Sequence, residues 1–102
     1  MYLSEITERD IIIIQQACHD VAPEYRPDMS LSLRVTRLAQ KLSETPSMYQ
    51  FSSEELDVLC MALNDSLYDL EICCKDLDAD DKRECMTTIS ELQRILRILQ
   101  LN

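Results

Sequence analysis

The side chains best suited to chemistry in this chain are five cysteines (Cys18, Cys60, Cys73, Cys74 and Cys85), a single histidine, His19, and the alternating acids Asp76, Asp78 and Asp80. A thiol beside an imidazole could make a nucleophile, clustered thiols could hold zinc, and alternating aspartates could begin a calcium loop. Neighbours such as Cys18 and His19 point about 100° apart on a helix, so a thiol activated from another helix is the one catalytic arrangement left open. The cysteines lack the repeated C-x-x-C spacing of zinc modules. Four of the five fall at or near apolar helical positions, where cysteine acts as a small core residue. In the calcium reading, Asp81 stands where glycine must turn the loop and Thr87 where a bidentate glutamate is required. A di-iron bundle would need Glu-x-x-His pairs, and His19 belongs to none. The chain also contains no glycine, which removes phosphate-cradling loops and nucleophile elbows. The expectation is a protein with no catalytic residue, no metal and no cofactor, and hence not an enzyme.

Composition supports a folded single domain spanning residues 1–102, with 46% hydrophobic and 28% charged residues. The apolar run Ile11 to Ile14 is too short, and too closely flanked by Glu8, Arg9 and Asp10, to read as a signal-peptide core or a membrane span. An odd number of cysteines at core-like positions fits a reduced, cytoplasmic protein. The net charge is −9, and residues 54–84 carry most of it, with 11 acids against 3 bases. Such a balance disfavours direct binding to nucleic acid or to anionic membranes, both of which need a basic face.

Four elements must position whatever surface works. Thr7 with Asp10, or Ser4 one turn earlier, caps a first helix whose core stripe is Ile11, Ile14, Cys18 and Val21. Pro23 and Pro27 frame a stiff connection, after which Asp28 or Ser30 caps a second helix carrying Leu31, Val35, Leu38 and Leu42. Thr45, Pro46 and Ser47 stop it. Ser52 with Glu55 forms a capping box that opens the third helix. Its stripe of Leu56, Leu59, Cys60, Leu63, Leu67, Leu70 and Cys74 is the strongest periodic signal in the chain. After the break at Asp76 to Asp81, where Asp78, Asp80 or Asp81 supplies a cap, Cys85, Ile89, Leu92, Leu96 and Leu99 resume the pattern. The predicted fold is all-α, a small antiparallel bundle of four helices whose last two form a long helical hairpin.

Helix 3 has a second apolar stripe roughly opposite the first: Val58, Met61, Tyr68 and Ile72, interrupted by Asp65. Either another helix of the bundle covers it, or it is a seam for self-association or a partner. Asp65 must be solvated, protonated or met by a cation, and Arg34, Arg37 and Lys41 on helix 2 are the internal candidates. Ile12, Ile98 and Leu101 also lie off their helices' core stripes, which favours an oligomer. The leading expectation is a non-enzymatic protein-interaction module, a homodimer that docks a basic partner protein. Asp57, Met61, Asp65, Tyr68, Asp69 and Ile72 would form the contact, and Asp76, Asp78, Asp80 and Asp81 would steer the approach. Carboxylates one turn apart, such as Asp65 and Asp69, give the alternative of an acidic nucleic-acid mimic inhibiting a basic protein. In composition and architecture the chain is similar to short acidic helical proteins of phage and mobile elements, and to bacteriocin immunity proteins, which are small cytosolic four-helix bundles. Neither likeness carries a motif.

Overall fold

A computed structural model describes residues 6–44 and 51–100. It contains α1 (Glu8–Val21), a short 3-10 turn (Ala22–Tyr25), α2 (Met29–Glu44), α3 (Ser53–Cys74) and α4 (Ala79–Gln100). Ser4, Leu101 and the predicted stop at Thr45, Pro46 and Ser47 lie outside the described residues. No strand occurs among those that are described, and none of the helices is long and apolar enough to cross a membrane.

The helix starts follow the local sequence closely. At α1 the Thr7 hydroxyl accepts from the Asp10 amide at 3.2 Å while the Asp10 carboxylate accepts from the Thr7 amide at 3.1 Å. Ser52 and Glu55 make the same reciprocal pair at α3, at 3.1 and 3.0 Å. Of the alternatives at α2, Asp28 is the cap, accepting from the Leu31 amide at 3.2 Å. Asp78 caps α4 through the Asp81 amide at 2.9 Å, leaving Asp80 and Asp81 in the first turn, where their charge complements the helix dipole. No described residue has positive φ, in keeping with a chain that lacks glycine. The α3–α4 connection turns instead by tightening: the amides of Lys75, Asp76 and Leu77 bond back three residues, at 3.2 to 3.4 Å.

Successive helices run antiparallel. Gln15 reaches the Ala39 carbonyl at 3.2 Å and Ser32 the Ala22 carbonyl at 2.9 Å, which sets α1 against α2. The bundle is not square, however. α1 and α3 pack against each other through the centre, α2 leans chiefly on α1, and α4 leans chiefly on α3. The result is a flattened body with extents of 40 × 35 × 22 Å, its thin dimension close to two helix diameters. Among the surface grooves, one opens where α2 diverges from α3 and another where α1 diverges from α4.

The main core joins Ile14, Cys18 and Val21 of α1 to Val35 and Leu42 of α2, Leu59 and Leu63 of α3, and Leu92 and Ile95 of α4. A smaller cluster of Cys74, Cys85 and Ile89 fills the hairpin tip. Two expectations are corrected here. The buried face of α3 centres on Leu59, Ala62, Leu63 and Ser66, whereas Leu56, Cys60, Leu67 and Leu70 are only partly buried. Small residues at Ala62 and Ser66 are what allow α1 and α3 to approach, so that face turns inward although it is less apolar. Ile98 is buried, as is Ile95. Ile12, by contrast, is exposed as expected.

Candidate partner-binding surface

The second stripe of α3 divides along its length. Val58 and Met61 pack against the main core and are half-buried, so this end is covered by the bundle itself. Further along, Tyr68 is 64% and Ile72 46% exposed. Asp65, Tyr68, Asp69 and Ile72 follow at i, i+3, i+4 and i+7 and therefore share one face of α3. Asp57 is exposed near the opposite end of the helix, and Asp76, Asp78, Asp80 and Asp81 are exposed around the hairpin tip. Of the ten residues singled out in the sequence, four thus form a continuous patch. Met61 is largely internal, Asp78 is used as a cap, and the remaining acids flank the patch at a distance.

Asp65 is neither paired with a cation nor left to water alone. The Tyr25 hydroxyl, on the 3-10 turn, donates to its carboxylate. None of Arg34, Arg37 and Lys41 reaches it. Lys41 instead binds both carboxylate oxygens of Glu55 at 3.0 Å and lies 4.5 Å from the centre of the Phe51 ring. The proline-framed turn is the reason: it carries Tyr25 over α3 at the level of Asp65, while α2 meets α3 only near the start of α3.

The same turn brings Glu24 against Asp69. A hydrogen bond between the two carboxyl groups, then slight desolvation and the charges of Asp69 and Asp65, hold the pKa of the exposed Glu24 above its ordinary value. Burial first, and then the hydrogen bond to Asp65, push the Tyr25 phenol well up, so it stays a neutral donor. Glu24, Asp65 and Asp69 therefore crowd together beside an exposed tyrosine and isoleucine. None of the ion pairs among the described residues, Arg9–Glu91, Lys41–Glu55 and Arg94–Asp10, uses these three acids. Sequence periodicity could find the α3 half of this patch but not Glu24 and Tyr25; the only local hint was an aromatic residue held between two prolines.

The thiols fall into three classes, buried, half-buried and exposed. Cys18 is buried, and desolvation pushes its pKa up to about 12. His19 is exposed on another side of the helix. Cys74 and Cys85 are buried in the tip cluster; burial, followed by a hydrogen bond to Cys74, raises Cys85. Burial and the Asp57 charge raise Cys60. Among the described residues no group of histidine, cysteine, aspartate or glutamate has metal-binding geometry. Reactivity follows thiolate fraction and access, so exposed Cys73 is expected to be the thiol that reacts fast with an aromatic disulfide reagent near pH 8. Cys60 should follow slowly, and Cys18, Cys74 and Cys85 only on unfolding. A fast phase that survives Cys73→Ser would contradict this ordering.

Compared with known proteins, the chain matches no family model, and no curated protein or solved structure is similar to it.

Proposed function

We propose that this chain is a non-enzymatic interaction module, an adaptor or inhibitor that docks a basic, partly apolar protein surface onto the outer face of α3. The observation that carries the reading is the crowding of Glu24, Asp65 and Asp69, without a cation, beside exposed Tyr68 and Ile72. Like charges held together oppose folding, and an arginine or lysine from a partner would relieve them. Tyr68 offers the rigid amphipathic anchor common at interface hot spots. The strongly acidic middle of the chain, including Asp57 and Asp76 to Asp81, would speed encounter more than it adds affinity. Five free thiols fit a reducing, cytoplasmic setting. A nucleic-acid mimic is less well supported, because Tyr68 and Ile72 interrupt the row of carboxylates.

The test is titration of an amphipathic helical peptide of leucine, lysine and arginine, followed by backbone NMR at physiological and at molar salt. Shifts should concentrate on residues 24, 65, 68, 69 and 72, and Tyr68→Ala should weaken binding about 10–30-fold. Glu24→Gln should also weaken binding, yet leave the unfolding temperature at neutral pH unchanged or higher. The sign follows from the raised Glu24 pKa: its contribution to stability is present when it is protonated and lost as pH rises, so the charged form is the unfavourable one. Binding that vanishes in salt and ignores Tyr68→Ala would instead favour the acidic mimic.

A further inference from the structure

The groove between α1 and α4 lies away from the patch just described and does not depend on it. Arg9–Glu91, at 2.8 Å, and Arg94–Asp10 clamp the two helices together near the start of α1. Beyond the clamp they diverge over α3 and leave a cavity of about 300 Å³. Its floor is small and apolar, with Ala17, Leu70 and Leu92. On its lip stands Ile12, which is 64% exposed. The rims carry an excess of acid, with Glu91 already paired to Arg9. Asp20 closes the α1 side, and on the α4 side Glu91 is preceded along the same line by Thr88 and Glu84. Lys82, Arg83 and Arg97 project from other sides of α4.

The surface that answers this chemistry is on the chain itself. α2 carries Arg34, Arg37 and Lys41 against a single acid, Glu44, and so is positive in a protein whose net charge is −9. On its outer side Met29 and Leu33 are 59% and 48% exposed, and Arg37 continues their line one turn on. Arg34 and Arg37 belong to none of the ion pairs among the described residues. An apolar ridge with arginines along one edge thus sits on one side of the molecule, and an apolar groove with an excess of acid on its rims on another. We propose that the outer face of α2 in one copy seats in the α1–α4 groove of a second copy, with Met29 and Leu33 covering Ile12 and the groove floor and Arg34 and Arg37, along one edge of that ridge, facing Glu84 on the α4 rim.

Two such contacts about a two-fold axis close a dimer, whereas one contact repeated head to tail gives a mass that grows with concentration. Both need the same two surfaces. The experiment is light scattering over a concentration series for the natural sequence, Leu33→Asp, Ile12→Asp and Tyr68→Ala, with circular dichroism confirming that each variant is folded. Leu33→Asp and Ile12→Asp should each weaken association at least tenfold, while an equal mixture of the two should associate again, because one supplies an intact groove and the other an intact α2. Tyr68→Ala should associate normally, which separates this contact from the partner surface on α3. A natural sequence that stays monomeric at the highest concentration, a mixture that fails to recover, or association lost through Tyr68→Ala would each overturn the proposal.

Discussion

Replacing Arg94 with methionine is expected to lower the unfolding free energy at pH 7 by about 2–3 kcal/mol, or roughly 10–15 °C in Tm for a domain of this size. Asp10 is only 2% exposed, and its carboxylate is held by the Arg94 guanidinium and the Thr7 amide. Methionine keeps a long unbranched stem and good helix propensity, so the change isolates the charge. It leaves a buried carboxylate with a backbone donor as its remaining partner, the kind of loss that typically costs about 3–5 kcal/mol. The side chain of Arg94 is about half exposed, and solvent screening of that side places the expectation at the lower end.

The pH dependence should distinguish lost charge from lost packing. Burial tends to raise the Asp10 pKa, but the Arg94 hydrogen bond, the Thr7 amide, the Arg94 charge and the Thr7 hydroxyl together hold it below its ordinary value. A depressed carboxylate pKa contributes stability above the unfolded value of about 3.9, and that contribution is lost as pH falls through the lower folded value. Arg94→Met removes both lowering contributions of the arginine and keeps the burial, so the folded pKa moves up and the carboxyl protonates more readily as pH falls. The variant's deficit relative to the natural sequence should therefore shrink by at least half between pH 7 and pH 4 in urea unfolding. Glu24 is present in both proteins and cancels in the difference. A deficit that does not change with pH would assign the loss to the arginine stem.

The helix starts were legible because each is decided within four residues. Thr7 with Asp10 and Ser52 with Glu55 needed no tertiary information, and the break between α3 and α4 needed only the run of acids after Cys74. The contacts that set the shape were not legible, since they join residues far apart: Arg94 to Asp10 across 84 positions and Tyr25 to Asp65 across 40. Periodicity also gives most weight to large apolar side chains, whereas a close helix crossing selects small ones. It therefore placed the centre of α3 on the leucine side and passed over Ala62 and Ser66. The candidate surface was half legible for the same reason: Asp65, Tyr68, Asp69 and Ile72 lie on one helix face, while Glu24 and Tyr25 arrive through a turn whose direction depends on the fold.

That rotation of α3 makes the second large effect specific. Leu63→Ala should cost about 3 kcal/mol and Leu67→Ala about half as much, although the chemical change is identical. Leu63 is fully buried in the main core, so its removal leaves an enclosed cavity. Leu67 is only partly buried at the join between the main core and the hairpin-tip cluster, where water can refill part of the space. Ala62→Leu tests the same geometry from the other side. Ala62 is completely buried where α1 and α3 approach, and Ala17 is likewise buried on α1. Added methylenes there must push the helices apart, at about 1–3 kcal/mol or more. If the leucine stripe were the true centre of the helix, Leu67→Ala would match Leu63→Ala and Ala62→Leu would be tolerated. Denaturant midpoints for the three variants, at constant slope, separate the two geometries, because total stability for a domain of this size is on the order of 5–10 kcal/mol and differences of 1.5 kcal/mol are readily resolved.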